Sequence, residues 1–235
     1  MRALLLDALG TLLALEPPAP PLRRLLARRL DIHVSDAEAR HAIAAEIAHY
    51  RAHMGEGRDE RSVAALRVEC AQVLRDALPA SERLRAVGAP ALTAVLMDSL
   101  RFREFDDVRD ALAEVRAHRV RVVVASNWDA SLPQVLHRAG LLELFDGVVS
   151  SALAGAPKPS GNVFRAALAL AGAAPREAVH VGDSVDADVA GARAAGIRPV
   201  LLRRDGAPGP ADIQTIASLA ALPAILFGRQ SRALS

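Results

Sequence analysis

Four short segments of the chain end in polar residues whose types could do chemistry together. Asp7 closes the apolar run Ala3-Leu4-Leu5-Leu6. Ser126 and Asn127 follow the β-branched run that begins at Val120, and Lys158 stands before Pro159 just beyond a third strand. Asp183 follows Gly182 after Ala178-Val179-His180-Val181, and Asp188 comes five residues later. In an open parallel sheet, ligands bind at the carboxyl ends of strands. In chain order these residues describe a nucleophilic carboxylate, a hydroxyl, an ammonium group and a second pair of carboxylates meeting at one rim. Lys158 is the only lysine in a chain whose other strong cations are all arginine.

The elements that must position these groups are legible as a change of period. Residues 3–6 predict a buried strand, and the Pro-rich segment 16–21 predicts a break in regular structure. From 22 to 102 the spacing is helical, with stripes such as Leu22, Leu25, Leu26, Leu30 and Ile43, Ile47, Tyr50, Met54. Ser35 and Glu38 have the spacing of a capping box. No strand is expected inside this block. From 104 onward, strands at 120–124, 146–150, 178–181 and 198–202 alternate with helices at 107–118, 131–144, 161–172 and 185–195. That alternation predicts an α/β, doubly wound parallel sheet of about five strands. The expected division is a core of residues 1–14 and 103–228, an inserted helical cap at 15–102, and a frayed tail at 229–235.

Composition narrows the function classes. The chain has 235 residues, 51% hydrophobic and 24% charged, so it is neither disordered nor fibrous. Aromatic residues are 3% and the net charge is +2 without a basic run, which argues against nucleic-acid binding. The single cysteine, Cys70, excludes a disulfide framework and reads as core. No apolar run reaches the roughly 20 residues of a membrane span. Asp7 interrupts the first apolar run too early for a secretory leader, so a soluble cytoplasmic protein is expected. Oligomeric state is not readable from the sequence.

Four motifs resemble those of the haloacid dehalogenase superfamily, in the branch with a helical cap inserted after the first strand. Asp7-Ala8-Leu9-Gly10-Thr11 is similar to the first motif, Asp-x-Asp-Gly-Thr. Ser126 is similar to the second motif, and Lys158-Pro159 to the third. Gly182-Asp183-Ser184-Val185-Asp186-Ala187-Asp188 is similar to the fourth and most specific. The resemblance implies a Mg²⁺-dependent phosphatase that forms an aspartyl-phosphate on Asp7 and acts on a small phosphorylated metabolite. It implies catalytic roles for Asp7, Ser126 and Lys158. Mg²⁺ would be held by Asp7, Asp183, Asp188 and the carbonyl of Leu9, with Thr11, Asn127 and Trp128 near the substrate. The chemistry agrees: a carboxylate can attack phosphorus, a cation offsets the phosphoryl charge, and a hard ion takes oxygen ligands.

Leu9 departs from this pattern. The phosphatases carry an Asp there that protonates the leaving group and later activates water, a contribution of roughly 10²–10⁴ in rate. Two other branches also lack that Asp. Dehalogenases read Asp-Ala-Tyr-Gly-Thr and use no metal, but Asp183 and Asp188 argue against that chemistry here. Phosphonoacetaldehyde hydrolases need a cap lysine, and residues 22–102 contain none. A protein that binds a phosphorylated ligand or a partner without turnover is the first alternative, and a dehalogenase-like hydrolase is the second. Blander roles are also weighed for single residues. Ser126 suits a helix N-cap, Trp128 suits either the pocket or the underside of the cap, and Asp186 suits solvent. His49 and His53, at i and i+4, have no third metal ligand nearby and read as solvated. Arg23-Arg24 and Arg28-Arg29 lie opposite a leucine stripe and read as a solvated face.

Overall fold

A computed structural model of the chain describes residues 1–228. The tail expected to fray, 229–235, lies outside the described residues. Strands β1 (Ala3–Leu6), β4 (Arg121–Ser126), β5 (Gly147–Ser150), β6 (Ala178–Gly182), β7 (Arg198–Leu202) and β8 (Thr215–Ile216) form one sheet, and β2 (Leu13–Leu15) pairs antiparallel with β3 (Phe102–Glu104). The sheet order is β5-β4-β1-β6-β7-β8 and every neighbouring pair is parallel. The sheet therefore has six strands, against the five or so expected. The extra one, β8, is two residues long and too short to show a period.

Alternation along the strands assigns each apolar side chain to a face. Leu4, Leu6, Val122 and Val124 pack with the helices Val108–Ala117 and Leu132–Arg138 and with the carboxyl-terminal segment 219–227. Ala3, Leu5, Val123 and Ala125 face the helix Gly161–Ala171 through Val163, Phe164 and Ala167. Both faces are covered, which is why the strands read as unbroken apolar runs.

Between β2 and β3 the chain is helical. Helices Ala19–Leu30, Asp36–His53, Glu60–Ala77, Glu82–Ala86 and Ala89–Ser99 enclose their own apolar cluster, with Leu22, Leu26, Leu74, Leu92 and Leu96 at its centre. The capping box at Ser35 is formed: its backbone N–H donates to Glu38 Oε2 at 2.7 Å, and Glu38 N–H donates to Ser35 Oγ at 3.2 Å. Two expectations for this block are corrected. The Pro-rich segment breaks regular structure only over residues 16–18, because Pro20 and Pro21 fall in the first turn of a helix that starts at Ala19. There the missing proline N–H groups have no helical acceptor to lose. The block is also not strand-free at its end, since Phe102 opens β3. Ribbon β2–β3 sets the outgoing and returning chain side by side, with Leu13 opposite Glu104 and Leu15 opposite Phe102.

Candidate active site

β1, β4 and β6 are adjacent in the sheet, so their carboxyl ends bring Asp7, Ser126 and the 182–188 loop to one rim. Asp7 is 7% exposed. Its Oδ1 accepts from Ser126 Oγ at 2.8 Å and from Lys158 Nζ at 2.7 Å. Lys158 Nζ also donates to Asp188 Oδ1. One buried ammonium thus bridges two buried carboxylates, the arrangement needed when charges leave water.

The loop after β6 is built for this approach. A Cβ on Gly182 would fall 2.1 Å from the Asp188 carboxyl carbon, so only glycine admits that side chain. Gly10, at φ +83°, lies directly under the Asp183 carboxylate. The expected α-helix at 185–195 begins as a π-helical turn, Val185–Ala190, in which Val189 N–H reaches back to Ser184 O at 3.1 Å. Such turns are frequent at functional sites. This one folds Asp188 back over its own loop, where Oδ2 accepts from Ser184 N–H at 3.0 Å.

Electrostatics follows from the same contacts. Burial pushes the Asp7 carboxyl up, and Lys158 opposes that push. Partial enclosure together with the charges of Asp7 and Asp188 pushes Asp183 up to about 6. For Asp188, burial is outweighed by Lys158 and His180, and the group is held well below the carboxylate range. For Lys158, burial opposes the charged form, but Asp7 and Asp188 prevail and raise it. The core of the site is therefore an ionised Lys158–Asp188 pair beside a nucleophile-type carboxyl group.

The other expected site residues divide. Leu9 is half-buried and lines the cavity. Asn127 also lines it, but both of its amide atoms are engaged: Nδ2 donates to Lys158 O at 3.1 Å, and Lys158 N–H donates to Oδ1 at 2.7 Å. Asn127 thus holds the lysine's backbone while its side chain lines the cavity. Thr11 is fully buried and is not part of the cavity wall. Trp128 does both things proposed for it: it is 6% exposed, packs against Phe102 with ring centroids 5.3 Å apart, and shows an edge to the cavity. Asp186 is exposed, as expected. His49 and His53 stack at 4.1 Å, and no three-ligand cluster among the described residues includes them.

Two contributors are absent from the sequence reading. His180 is wholly buried on β6, with Nε2 2.9 Å from Asp188 Oδ1; because a carboxylate only accepts, that nitrogen carries the proton. The signal was a histidine inside an otherwise apolar strand. Arg204, just past β7, donates to the carbonyls of Gly10 and Thr11 at 3.2 and 2.6 Å and so braces the loop after Asp7. Nothing in its local sequence marks it.

The rim opens into a cavity of about 1240 Å³ that extends to the helical block. That block touches the rim side where Ala130 N–H donates to Gly57 O at 2.7 Å.

A family model for haloacid dehalogenase-like hydrolases matches residues 1–196. The chain belongs to that family. Among curated relatives, it is 42% identical to haloacid dehalogenase-like hydrolase domain-containing protein 3 of Homo sapiens over 97 residues, which is 41% of this chain and 39% of the relative. It is 34% identical to a phosphoserine phosphatase of Thermus thermophilus over 134 residues, 57% of this chain and 52% of the relative. The chain thus matches less than two thirds of the length of these relatives. A solved structure of a 2-haloacid dehalogenase from Pseudomonas syringae superposes with a TM-score of 0.66 at 26% identity, covering 96% of this chain and 98% of the other. The α/β core and the inserted helices are thus a known family architecture. Among the described residues no helix is long and apolar enough to cross a membrane.

Proposed function

We propose that this member of the hydrolase family is a Mg²⁺-dependent phosphatase of a small phosphorylated metabolite, working through an aspartyl-phosphate on Asp7. The observation that carries the reading is the Asp7–Lys158–Asp188 bridge beside Asp183. Carboxylate oxygens of Asp7, Asp183 and Asp188 lie within 4.8 Å of one another. An all-oxygen set of this kind fits a hard divalent ion. Enclosure, and after it the charges of Asp7 and Asp188, raise the Asp183 carboxyl to about 6. Asp7, Asp183, Asp188 and the carbonyl of Leu9 are the groups assigned to hold Mg²⁺, which would supply charge neutralisation of the phosphoryl oxygens.

The chain's own residues divide the remaining work. Asp7 Oδ1 is occupied by Ser126 and Lys158, which leaves Oδ2 as the attacking atom. A bond forms from Oδ2 to phosphorus as the bond from phosphorus to the leaving oxygen breaks. Water then attacks phosphorus and releases Asp7. Lys158 offsets the charge spread over the equatorial oxygens, and Asn127 fixes its position. Leu9 cannot give the leaving oxygen a proton, so esters or anhydrides with good leaving groups are the favoured substrates.

Phosphate release over a panel of phosphorylated metabolites and acyl phosphates, with and without Mg²⁺, tests the reading. Mg²⁺-dependent release that Asp7→Asn abolishes is the expected result. Metal-independent halide release from a 2-haloacid would replace the reading with a dehalogenase. Phosphate binding without turnover across the panel would leave a binding protein. Cytoplasmic location and the absence of nucleic-acid or membrane partners remain parts of this proposal.

A further inference from the structure

The cavity has a second polar pole that the phosphatase chemistry does not use. Glu46, on the helix Asp36–His53, is 3% exposed and lines the cavity wall on the helical block. No hydrogen bond from an N–H or O–H group reaches its carboxylate among the described residues. The Cys70 thiol on the facing helix, a weak donor, is the side chain that contacts it. Tyr50, one turn along the same face, is turned toward Asp129 on the core side instead. Arg67, which also lines the cavity, is not within ion-pair distance of Glu46. The same wall carries the apolar Ile47, Leu66 and Met97 and two further cations, Arg51 and Arg101, neither of which forms an ion pair with Glu46 among the described residues.

A carboxylate taken out of water needs hydrogen-bond donors and, above all, an opposite charge. Apart from the weak Cys70 donor, the described residues provide neither for Glu46, and its side chain lines the cavity. The pole at Asp7 is assigned to the phosphoryl group, so whatever reaches Glu46 belongs to the part of the ligand that leaves. We infer that Glu46 is a specificity-determining residue for a phosphorylated ligand whose leaving group carries a primary ammonium. This inference rests on the phosphatase reading for the position of the phosphoryl group. A hydroxyl on the ligand would satisfy one lone pair of the carboxylate but not its charge, whereas an ammonium satisfies both.

Binding tests this without requiring turnover. Titration calorimetry in Mg²⁺ would compare 2-aminoethyl-, 3-aminopropyl- and 4-aminobutylphosphonate with ethyl-, propyl- and butylphosphonate. Phosphonates cannot be hydrolysed at the attacked bond, so affinity alone is read. The expected result is that at least one amine binds tenfold or more tightly than its alkyl counterpart, and that Glu46→Gln brings the ratio close to one. Gln keeps the size of the side chain, and a thermal melt verifies that the variant is folded. Equal affinities in the unaltered protein, or a preference that survives Glu46→Gln, would overturn the inference while leaving the phosphatase reading in place. Failure of all six phosphonates to bind would overturn the inference together with the phosphoryl position on which it rests.

Discussion

Arg204 and Asp107 face each other through two parallel hydrogen bonds, each 3.0 Å long. This fork-to-fork geometry is the strong form of an ion pair. The same guanidinium lies 3.6 Å over the Phe105 ring and reaches the carbonyls of Gly10 and Thr11. Asp107 in turn accepts from Ser218 Oγ at 2.6 Å and from Leu219 N–H at 2.8 Å. Burial opposes the charge on Asp107, but Arg204 and these donors hold its carboxyl below the usual range. One pair therefore ties the loop after Asp7 to the start of a core helix and to the carboxyl-terminal segment. Arg204→Ala is expected to lower kcat tenfold or more with little change in KM, and to cost about 2–4 kcal/mol by stranding Asp107. Arg204→Lys should restore part of the stability but not the fork. Steady-state kinetics and urea unfolding of the two variants check this. A stability loss with kcat intact would reduce the pair to scaffolding.

Leu9 stands on the cavity wall next to the buried nucleophile loop. On the proposed phosphatase chemistry, an Asp there would protonate a leaving oxygen. Leu9→Asp should raise kcat for alkyl phosphates by 10²–10⁴ and raise it less for acyl phosphates, whose leaving groups need no proton and which gain only from activation of the water. The side chain also packs against the main core cluster, so a stability loss of about 1–2 kcal/mol should accompany the gain. Rates on a paired alkyl and acyl phosphate decide the matter. An equal change on both would mean that proton donation is not what position 9 controls.

How much of this was legible in the sequence depends on whether a role leaves a local mark. The strand ends at Asp7, Ser126 and Asp183 did, because a polar residue terminating an apolar run is visible in one dimension. Strand β8 and ribbon β2–β3 did not, since two or three residues carry no period and their pairing is decided by chain crossings. Asn127 was expected at the substrate because of where it stands. Its hydrogen-bond partner, the backbone of Lys158, lies 31 residues away and is set by the tertiary fold. Arg204 is one arginine among many, and only the fold brings it 194 residues back to Gly10. Glu46 was hidden in plain view: it falls three residues after Ile43 and four before Tyr50, on a stripe that was read as apolar.

Lys158 is the counter-ion of two carboxylates that share its buried ammonium. Lys158→Met should abolish turnover, by 10³-fold or more, and destabilise the fold by about 3–5 kcal/mol, since both acids are left uncompensated. Adding Asp7→Asn to Lys158→Met should return a good part of that stability without any activity. A double-mutant cycle by urea unfolding measures the coupling. Additive losses would mean that the two groups do not depend on each other in the folded state.

Glu46 makes a separate prediction about stability and pH that does not depend on any ligand. Burial pushes its carboxyl up to about 7, from an ordinary value of 4.5. Between those two values the folded protein keeps a proton that the unfolded chain has released. Stability must therefore fall as pH rises through that window, and the loss is complete above about 7. At about 1.4 kcal/mol per pH unit, the most this group can remove is about 3 kcal/mol. Glu46→Gln has no proton to lose, so its stability relative to the unaltered protein should climb from pH 4.5 to 7 and then level off. Urea midpoints of both proteins at half-unit steps of pH give the curve directly, because every other titrating group is common to the two and cancels in the difference. A flat difference across the window would show that the carboxyl ionises in the folded state as it does in water, and that the protein itself supplies the charge compensation the geometry lacks.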